Sequence, residues 1–328
     1  MSRTRVGIVG AGFIARRHAE VLCTFEDVSL VAVADPVLER ASELAAHTGA
    51  RAFPGADEML DASALDAVFI CVPPFAHGAP EAATLGRGLP FLVEKPLAAD
   101  LATAERVAAE VERAGVPTAA GYHWRYLTTT ERAQDLLGAN PPRLALGYWL
   151  DCTPEAGWWR HAELSGGQIV EQTTHVLYLA RLLVGEATSV HAVASRTSRA
   201  GFADMDIADV TAATVRCATG AIGTRASTCL LRWRHRAGLH LFCDALAIEL
   251  SEFDMVVDVG RGRPVTEPIG DPVAREDRDF IDAVQGRPDR SRVPYAEALR
   301  THRLACAVAR SAAEGRPIDL DPAAVASP

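Results

Sequence analysis

Lys95, Glu171 and His175 have the residue types and spacing that proton transfer requires. Lys95 ends an apolar stretch, between Glu94 and Pro96. Lysine is usually a hydrated surface residue, but a partly dry pocket lowers its pKa and lets it move protons. Glu171 and His175 are four residues apart, so on a helix both project from one face, where the carboxylate raises the basicity of the imidazole.

These residue types suit the oxidation of an alcohol. A general base would remove the hydroxyl proton while the hydride on the same carbon leaves for a nicotinamide ring. From spacing alone, however, an ordinary surface ion pair is the simpler interpretation of Glu171 and His175. No metal is expected, because this pair lacks further ligands at the spacing of a metal site.

Small residues near the start of the chain indicate a dinucleotide site. A predicted strand over residues 5–9 runs into Gly10-Ala11-Gly12-Phe13-Ile14-Ala15, which has the Gly-x-Gly-x-x-Gly/Ala form. Gly10 permits a tight turn, Gly12 lets a pyrophosphate approach the backbone, and Ala15 lets the helix pack closely. Asp35 closes the second predicted strand, where an acidic group binds the adenosine ribose. Because aspartate repels a 2′-phosphate, NAD is the expected cofactor, and NADP remains possible because Arg40 could reach such a phosphate.

The nicotinamide end of the cofactor should lie at the carboxyl ends of the parallel strands. The loops over residues 71–77 and 94–96 are expected there, although His77 could equally cap the helix after Pro80. The predicted cofactor contacts are Gly10, Gly12, Phe13, Ile14, Asp35, Arg40, Cys71, Pro73, His77, Glu94 and Lys95.

Aromatic and basic residues form two clusters that could line a substrate. Tyr122, Trp124 and Arg125 follow the last strand of the first half, and Trp158, Trp159 and Arg160 precede the Gly166-Gly167 segment. Aromatic faces stack on the apolar side of a sugar ring, and arginine binds hydroxyls or anions. Packing between domains explains the tryptophans equally well.

The pattern of elements predicts two domains, over residues 1–121 and 122–328. In the first, apolar runs at 5–9, 28–34, 67–72, 90–94 and 117–120 alternate with helical stretches, which predicts an α/β fold with a doubly wound parallel sheet. In the second, successive runs between residues 144 and 259 predict a mostly antiparallel sheet, with a hairpin turn at Thr219-Gly220. Helices are predicted over 167–183, 272–284 and 295–313, and the C-terminal ones could pack back on the first domain.

Length and composition fit a globular protein of two domains and exclude some partners. The 328 residues carry a formal net charge of −9, which opposes binding to nucleic acid or to an anionic membrane surface. The seven cysteines contain no Cys-x-x-Cys pair, and no signal peptide or long apolar segment is apparent. A cytoplasmic protein with reduced thiols is expected.

The sequence resembles the Gfo/Idh/MocA oxidoreductases over essentially its whole length. The motifs that carry the resemblance are GIVGAGFIA at 7–15, ADP at 34–36, CVPP at 71–74, EKP at 94–96, Gly166-Gly167 followed by His175, and SAAEG at 311–315.

This resemblance implies an N-terminal Rossmann domain and a C-terminal α+β domain, whose open sheet carries helices on one face and forms a homodimer or homotetramer. It implies pyridine-nucleotide-dependent oxidation or reduction of sugars and cyclic polyols. Lys95 then contacts the reacting hydroxyl or its proton relay, and His175 is the acid/base. Glu171 stands where many members have aspartate, which is one methylene shorter.

Two other functions fit the same motifs. The family contains glycoside hydrolases that oxidise a sugar carbon transiently and return the hydride. A non-catalytic dinucleotide-binding protein would keep the first domain without turnover, but the presence of Lys95 and His175 argues against it.

Overall fold

The computed structural model describes residues 3–288 and 291–321, and the chain divides into two compact units. The first unit runs to Ala98, includes Ala102–His123 and ends with Asp271–Leu299. The second consists of Ala99–Leu101, Trp124–Gly270 and the chain from Arg300 onward. This division differs from a single boundary after residue 121, because a late stretch of the chain belongs to the first unit.

The first unit is built around a parallel sheet of six strands. These are β1 (Thr4–Val9), β2 (Val28–Ala34), β3 (Arg51–Phe53), β4 (Ala67–Ile70), β5 (Phe91–Val93) and β6 (Thr118–Ala120). Their order is β3-β2-β1-β4-β5-β6, with every pairing parallel. The intervening helices are α1 (Phe13–Leu22), α2 (Leu38–Thr48), α3 (Ala56–Ala62), α4 (Ala79–Leu85) and α5 (Leu101–Ala114). This strand order, which reverses between β1 and β4, is typical of dinucleotide-binding folds.

The predicted doubly wound parallel sheet is confirmed. Val6, Ile8 and Val33 are fully buried, as expected for strands covered on both faces. The sequence did not reveal β3 or α3, because a three-residue strand and a seven-residue helix are too short to show a clear hydrophobic period.

The second unit contains a nine-stranded sheet. Its elements before the main run of strands are α6 (Thr128–Leu137), β7 (Leu144–Cys152), α7 (Ala162–Ser165), α8 (Gln168–Glu171) and α9 (Thr174–Val184). The run comprises β8 (Ala187–Ser195), β9 (Val210–Cys217), β10 (Ile222–Leu231), β11 (Arg236–Cys243), β12 (Leu246–Leu250), β13 (Met255–Asp258) and β14 (Val265–Thr266). The chain continues with α10 (Pro272–Val284), which belongs to the first unit, and α11 (Tyr295–Glu314), and β15 (Ile318–Asp319) completes the sheet. The strand order is β14-β13-β12-β11-β7-β10-β9-β8-β15.

This sheet is antiparallel except at one pairing. The hairpin of β9 and β10 turns at Thr219-Gly220 as predicted, but β10 pairs with β7 in parallel. A long connection with helices and two further strands separates β7 from β10, and such a crossover is what parallel pairing requires. The prediction of a mostly antiparallel sheet is confirmed.

Helices cover one face of this sheet. Along β9, Thr211, Ala213, Val215 and Cys217 are buried, and the residues between them are exposed. In α9, which packs on β7 and β11, every residue except Leu182 is buried. Such a helix, apolar on nearly all sides, belongs in a core. Within the described part of the chain, no helix combines the length and apolarity needed to cross a membrane.

Candidate active site

The glycine-rich turn of the first unit leaves room for a diphosphate. Gly10 has a φ of 93°, and a Cβ there would lie 2.3 Å from the carbonyl oxygen of Cys71, so only glycine fits. At Gly12, by contrast, a Cβ would meet no atom within 4 Å. Gly12 is the N-cap of α1, whose first turn has neither a capping side chain nor an acidic residue among the described residues. The backbone N–H groups of this turn therefore suit an anion.

Asp35 lies beside this turn, where the ribose was predicted. Its carboxylate accepts the backbone N–H of Ala11 at 2.9 Å and that of Val37 at 2.8 Å. A carboxylate has about four acceptor positions, so each oxygen can also accept a bond from a ribose hydroxyl. Arg40, the residue that would favour NADP, is exposed on α2.

Two large aromatic side chains of this unit are exposed next to the predicted cofactor loops. Phe13 is 87% exposed at the start of α1, and Phe75 is 48% exposed in the loop after β4. Exposed rings of this size can pack against a flat ligand ring. Ile14 and Pro73 are half-buried, and burial raises the pKa of the Cys71 thiol well above its usual value.

His77 is held by the helix that follows it. Its Nδ1 lies 2.6 Å from Glu81 Oε1, and Glu81 Oε2 accepts the backbone N–H of Gly78 at 2.5 Å. Glu81 therefore caps the start of α4, the role that the sequence left open for His77. The Nε2 atom of His77 is buried without a hydrogen-bond partner among the described residues, so it can accept or donate a bond to a ligand.

The Glu94-Lys95-Pro96 turn follows β5, and its peptide bond before Pro96 is cis. Glu94 is 5% exposed, and its Oε2 accepts the backbone N–H of Lys95 at 3.0 Å. Burial raises the pKa of Glu94, but His18 and the charge of Lys95 outweigh that effect and lower it. The Glu94 carboxylate is therefore ionised beneath the half-buried Lys95.

Lys95 has a further property that residue counts alone could have revealed. The sequence has 33 lysines and arginines, and Lys95 is the only lysine among them. Arginine does not deprotonate in proteins, whereas lysine can give up its proton. The only lysine therefore lies at the strand end where proton transfer was predicted.

In the second unit, the segment with Glu171 and His175 is not the single helix predicted over 167–183. Glu171 ends α8, and His175 lies in α9, after a turn at Gln172 and Thr173. The backbone N–H of Thr173 bonds to the carbonyl of Gln168, five residues back, which interrupts the regular helical hydrogen bonds. The four-residue spacing therefore does not place the Glu171 and His175 side chains on one face of a single helix.

Glu171 has a partner that its spacing did not predict. The indole Nε1–H of Trp159 donates to Glu171 Oε2 at 2.7 Å. Trp159 is 1% exposed and packs with Met205, Ile207 and Cys229 in a small core. This burial favours the packing interpretation of Trp159 over a place in the substrate wall.

His175 lies among aromatic rings and is 4% exposed. Its ring is stacked with that of Trp124 at a centroid distance of 5.6 Å and with that of Trp149 at 6.0 Å. The two indoles are themselves stacked at 5.8 Å. Apolar ring faces fix the plane of the imidazole and keep water from it, which suits a group that exchanges protons with one ligand.

The other predicted substrate residues are placed as follows. Tyr122 is fully buried in the first unit. In the second, Arg125 Nη1 donates to Gln134 at 3.0 Å, and Trp158 is half-buried. Arg160 bonds to Asp204 at 3.0 Å, so its charge is already matched. Their roles toward a substrate stay predictions.

A cavity of about 310 Å³ lies in the second unit, in a place that the sequence did not indicate. Trp124 forms part of its wall. The β10–β11 connection contributes Arg234 and His235, β11 begins with the lining residue Arg236, and the β12–β13 turn contributes Ser251, Glu252, Phe253 and Asp254. Arg234 Nη2 donates to Glu252 at 2.6 Å. The signal that could have indicated this site is the Trp-Arg-His-Arg run at 233–236, which interrupts an alternating strand pattern.

Two family models match this chain, one in each half. Residues 4–122 match the model described as "Oxidoreductase family, NAD-binding Rossmann fold". Residues 142–249 match the model described as "GFO/IDH/MocA C-terminal domain".

Curated relatives match shorter stretches. The rhizopine catabolism protein MocA of Rhizobium meliloti is 31% identical over 207 residues, which are 61% of this chain and 64% of that protein. Inositol 2-dehydrogenase of Leifsonia xyli subsp. xyli is 41% identical over 104 residues, which are 31% of each chain. The chain thus spans less than two thirds of the length of these relatives.

A solved structure matches nearly the whole fold. GenD2 from gentamicin A biosynthesis, in complex with NAD, has a TM-score of 0.85 and 25% identity, and the match covers 98% of this chain and 97% of that one.

Proposed function

The chain belongs to the Gfo/Idh/MocA family of oxidoreductases, and from this premise we propose that it is an NAD-dependent dehydrogenase or reductase of a sugar or cyclic polyol. The observation that carries the proposal is the turn at Gly10 and Gly12. It combines open space above Gly12, an uncapped α1 and a buried Asp35, which together fit a dinucleotide.

The predicted site residues take the following roles in this proposal. The first turn of α1 binds the diphosphate, Asp35 binds the ribose, and His77 Nε2 offers a polar contact near the strand ends. Asp35 favours NAD, and exposed Arg40 leaves NADP a possible second cofactor. When bound, the nicotinamide supplies the hydride acceptor or donor.

Side chains of the protein transfer the proton of the reacting hydroxyl group. His175 removes the hydroxyl proton during oxidation and returns it during reduction. Lys95 stabilises the developing alkoxide. Glu171 orients the imidazole of His175 or relays its proton. Lys95 belongs to the first unit and His175 to the second.

The cavity beside Trp124 supports a small, uncharged substrate. Its volume is at the lower end of the range of about 300–1,000 Å³ for ligand pockets, which favours one ring over a nucleotide-linked sugar. The wall contains two arginines, Arg234 and Arg236, and two acidic residues, Glu252 and Asp254, so its formal charges nearly cancel. Hydroxyl groups can bond to both signs of charge, whereas an anion would be repelled by the carboxylates. The inositol 2-dehydrogenase match supports the same class of substrate.

We also propose that the protein is cytoplasmic and forms a homodimer or homotetramer. The open face of the second unit's sheet carries Val210, Ile222 and Val193, which are 36%, 44% and 62% exposed. Such a face suits pairing with a second copy.

The test is a titration of the purified protein with NADH and NADPH, followed by a panel of free sugars, inositols, sugar phosphates and nucleotide sugars monitored by nicotinamide absorbance. Quenching by NADH and turnover of an unphosphorylated ring are expected, with activity lost in Lys95→Ala and His175→Ala. Absence of quenching by either cofactor would contradict the proposal. Release of free sugar from a nitrophenyl glycoside with only catalytic NAD would show hydrolysis without net redox.

A further inference from the structure

A buried histidine lies directly beneath the Lys95 turn. His18, on α1, is fully buried, and its Nε2 is 3.1 Å from Glu94 Oε1. Its Nδ1 is 2.8 Å from Asp277 Oδ1 on α10. The ring also packs against Phe69 at a centroid distance of 5.3 Å. An imidazole that bonds to a carboxylate at each nitrogen donates from both, which is the geometry of the charged form.

Glu94 joins this histidine to the Lys95 backbone. One carboxylate oxygen faces His18, and the other accepts the backbone N–H of Lys95 at 3.0 Å. A Cβ at Gly121 would lie 2.4 Å from Glu94 Oε1, so the neighbouring backbone confines the carboxylate closely. A shift of Glu94 would therefore remove a hydrogen bond from the turn that carries the only lysine.

The charges of this cluster are interdependent. Burial by itself lowers the pKa of His18, but Asp277 and Glu94 outweigh burial and raise it well above its usual value. Burial raises the pKa of Asp277, and His18 only partly offsets that effect. Burial and the charge of Glu94 raise the pKa of Glu276 well above its usual value, which favours its neutral form.

The titratable groups that interact within this cluster come from several elements of the first unit. The end of β5 contributes Glu94 and Lys95, and α10 contributes Asp271, Glu276 and Asp277. Cys71 lies after β4 and His123 after β6. Within this set, His18 is the cation that bonds to two carboxylates at once.

We propose that His18 is a positioning residue for Lys95. Held by Asp277, the imidazolium fixes the Glu94 carboxylate, which in turn fixes the Lys95 backbone and remains a negative charge beside the ammonium group. The role rests on the proposed function of Lys95, and neither the family models nor the residue spacing assign it.

A metal ion is the competing interpretation of the same atoms. Ligand atoms of His18, Glu94 and Glu276 lie within 4.8 Å of one another. However, both nitrogens of His18 already bond to carboxylates, and a metal would have to displace one of these contacts. The geometry therefore favours a hydrogen-bonded cluster.

The experiment uses the fact that Lys95 is the only lysine. The purified full chain is labelled with an acylating reagent across a pH series, and the Lys95 peptide is quantified by mass spectrometry against an added lysine standard. The variants are His18→Ala, His18→Gln and, as a matched control, His47→Ala, which changes an exposed histidine of α2. Imidazole ¹⁵N spectra, assigned with His18→Gln, report the protonation of His18 directly.

In His18→Ala, we expect the pH midpoint of Lys95 labelling to fall by about one unit, because Glu94 loses the contact that holds its carboxylate in place and stabilises the ammonium group less. His18→Gln keeps a donor toward Glu94 without the charge and should lie between Ala and wild type. His47→Ala should match wild type. The His18 ring should be protonated on both nitrogens at pH 7.

Three results would overturn the proposal: a midpoint in both His18 variants equal to or above that of wild type, a His18 ring that is neutral at pH 7, or a stoichiometric metal in the purified protein. If His18→Ala does not fold, the pH midpoint of Lys95 labelling is compared between His18→Gln and wild type. None of these measurements needs substrate or cofactor. A chain without dehydrogenase activity therefore refutes the proposed function and leaves the result on His18 intact.

Discussion

The indole N–H of Trp159 donates a 2.7 Å hydrogen bond to the carboxylate of Glu171. Trp159 belongs to a buried core, so this bond attaches the end of α8 to a rigid part of the second unit. Glu171 thus has an anchor of its own just before the turn that leads to His175. A carboxylate fixed in this way can keep one orientation while it acts on a neighbouring group.

Trp159→Phe tests this anchor. The change removes the donor and leaves a small void in the core, so we expect a loss of about 1–3 kcal/mol in the free energy of unfolding. Thermal denaturation measures it. Glu171→Gln, which keeps an acceptor for the indole, should cost less, and the double variant should cost less than the sum of the two. Equal stability of Trp159→Phe and wild type would show that the bond contributes nothing.

Gly10→Ala and Gly12→Ala should separate folding from cofactor binding. The Gly10 change places a Cβ 2.3 Å from the Cys71 carbonyl at a φ of 93°, so we expect a large drop in melting temperature. The Gly12 change meets no atom within 4 Å and should leave the melting temperature near that of wild type. It should weaken NADH binding, measured by fluorescence, by about tenfold or more, because the methyl group occupies the space for the diphosphate. Unchanged NADH affinity in Gly12→Ala would place the diphosphate elsewhere.

Asp35→Asn should reduce the preference for NAD over NADP. The amide keeps an acceptor but loses the charge that binds ribose hydroxyls and repels a 2′-phosphate. We expect NADH to bind about tenfold more weakly and the ratio of the two dissociation constants to fall. Adding Arg40→Ala should remove any affinity gained for NADPH. An unchanged ratio of the NADH and NADPH dissociation constants would show that Asp35 only accepts hydrogen bonds from the backbone of Ala11 and Val37.

Glu276→Gln should stabilise the protein at neutral pH. Burial and the charge of Glu94 raise the pKa of Glu276 in the folded state, so the folded chain retains a proton that the unfolded chain releases. Stability therefore decreases as the pH rises from the unfolded pKa of about 4.5 toward the folded pKa. Glutamine removes this titration, so the variant should gain stability over wild type between pH 5 and 8 and should match it near pH 4. Thermal melts across this range measure the difference, and a constant offset at every pH would contradict it.

Arg234→Ala should affect substrate binding and not the chemical step. Its guanidinium lines the cavity beside Trp124 and bonds to Glu252. We expect KM for the sugar or polyol to rise about tenfold with kcat nearly unchanged. Arg310→Ala, which breaks a comparably exposed ion pair with Glu314 on α11, is the matched control. A fall in kcat at constant KM would remove this cavity from the substrate site.

Local sequence determined most of the elements and the cofactor end of the first unit. The apolar runs at β1 and β2, the turn at Gly10 and Gly12, and Asp35 at the end of β2 all follow from short-range rules of burial, turn conformation and phosphate binding. Lys95 is identified by its place after β5 and by being the only lysine. These features need no knowledge of distant contacts, because each is set within a few residues.

The tertiary structure alone decided which side chains meet. His18 and Asp277 are 259 positions apart, and they meet because α10 belongs to the first unit. The bond between Trp159 and Glu171, the parallel pairing of β7 with β10, and the break between α8 and α9 likewise depend on long-range packing. Periodicity reports which face of an element is apolar and does not report its partner, so neither the cluster beneath Lys95 nor the anchor of Glu171 could be read from spacing.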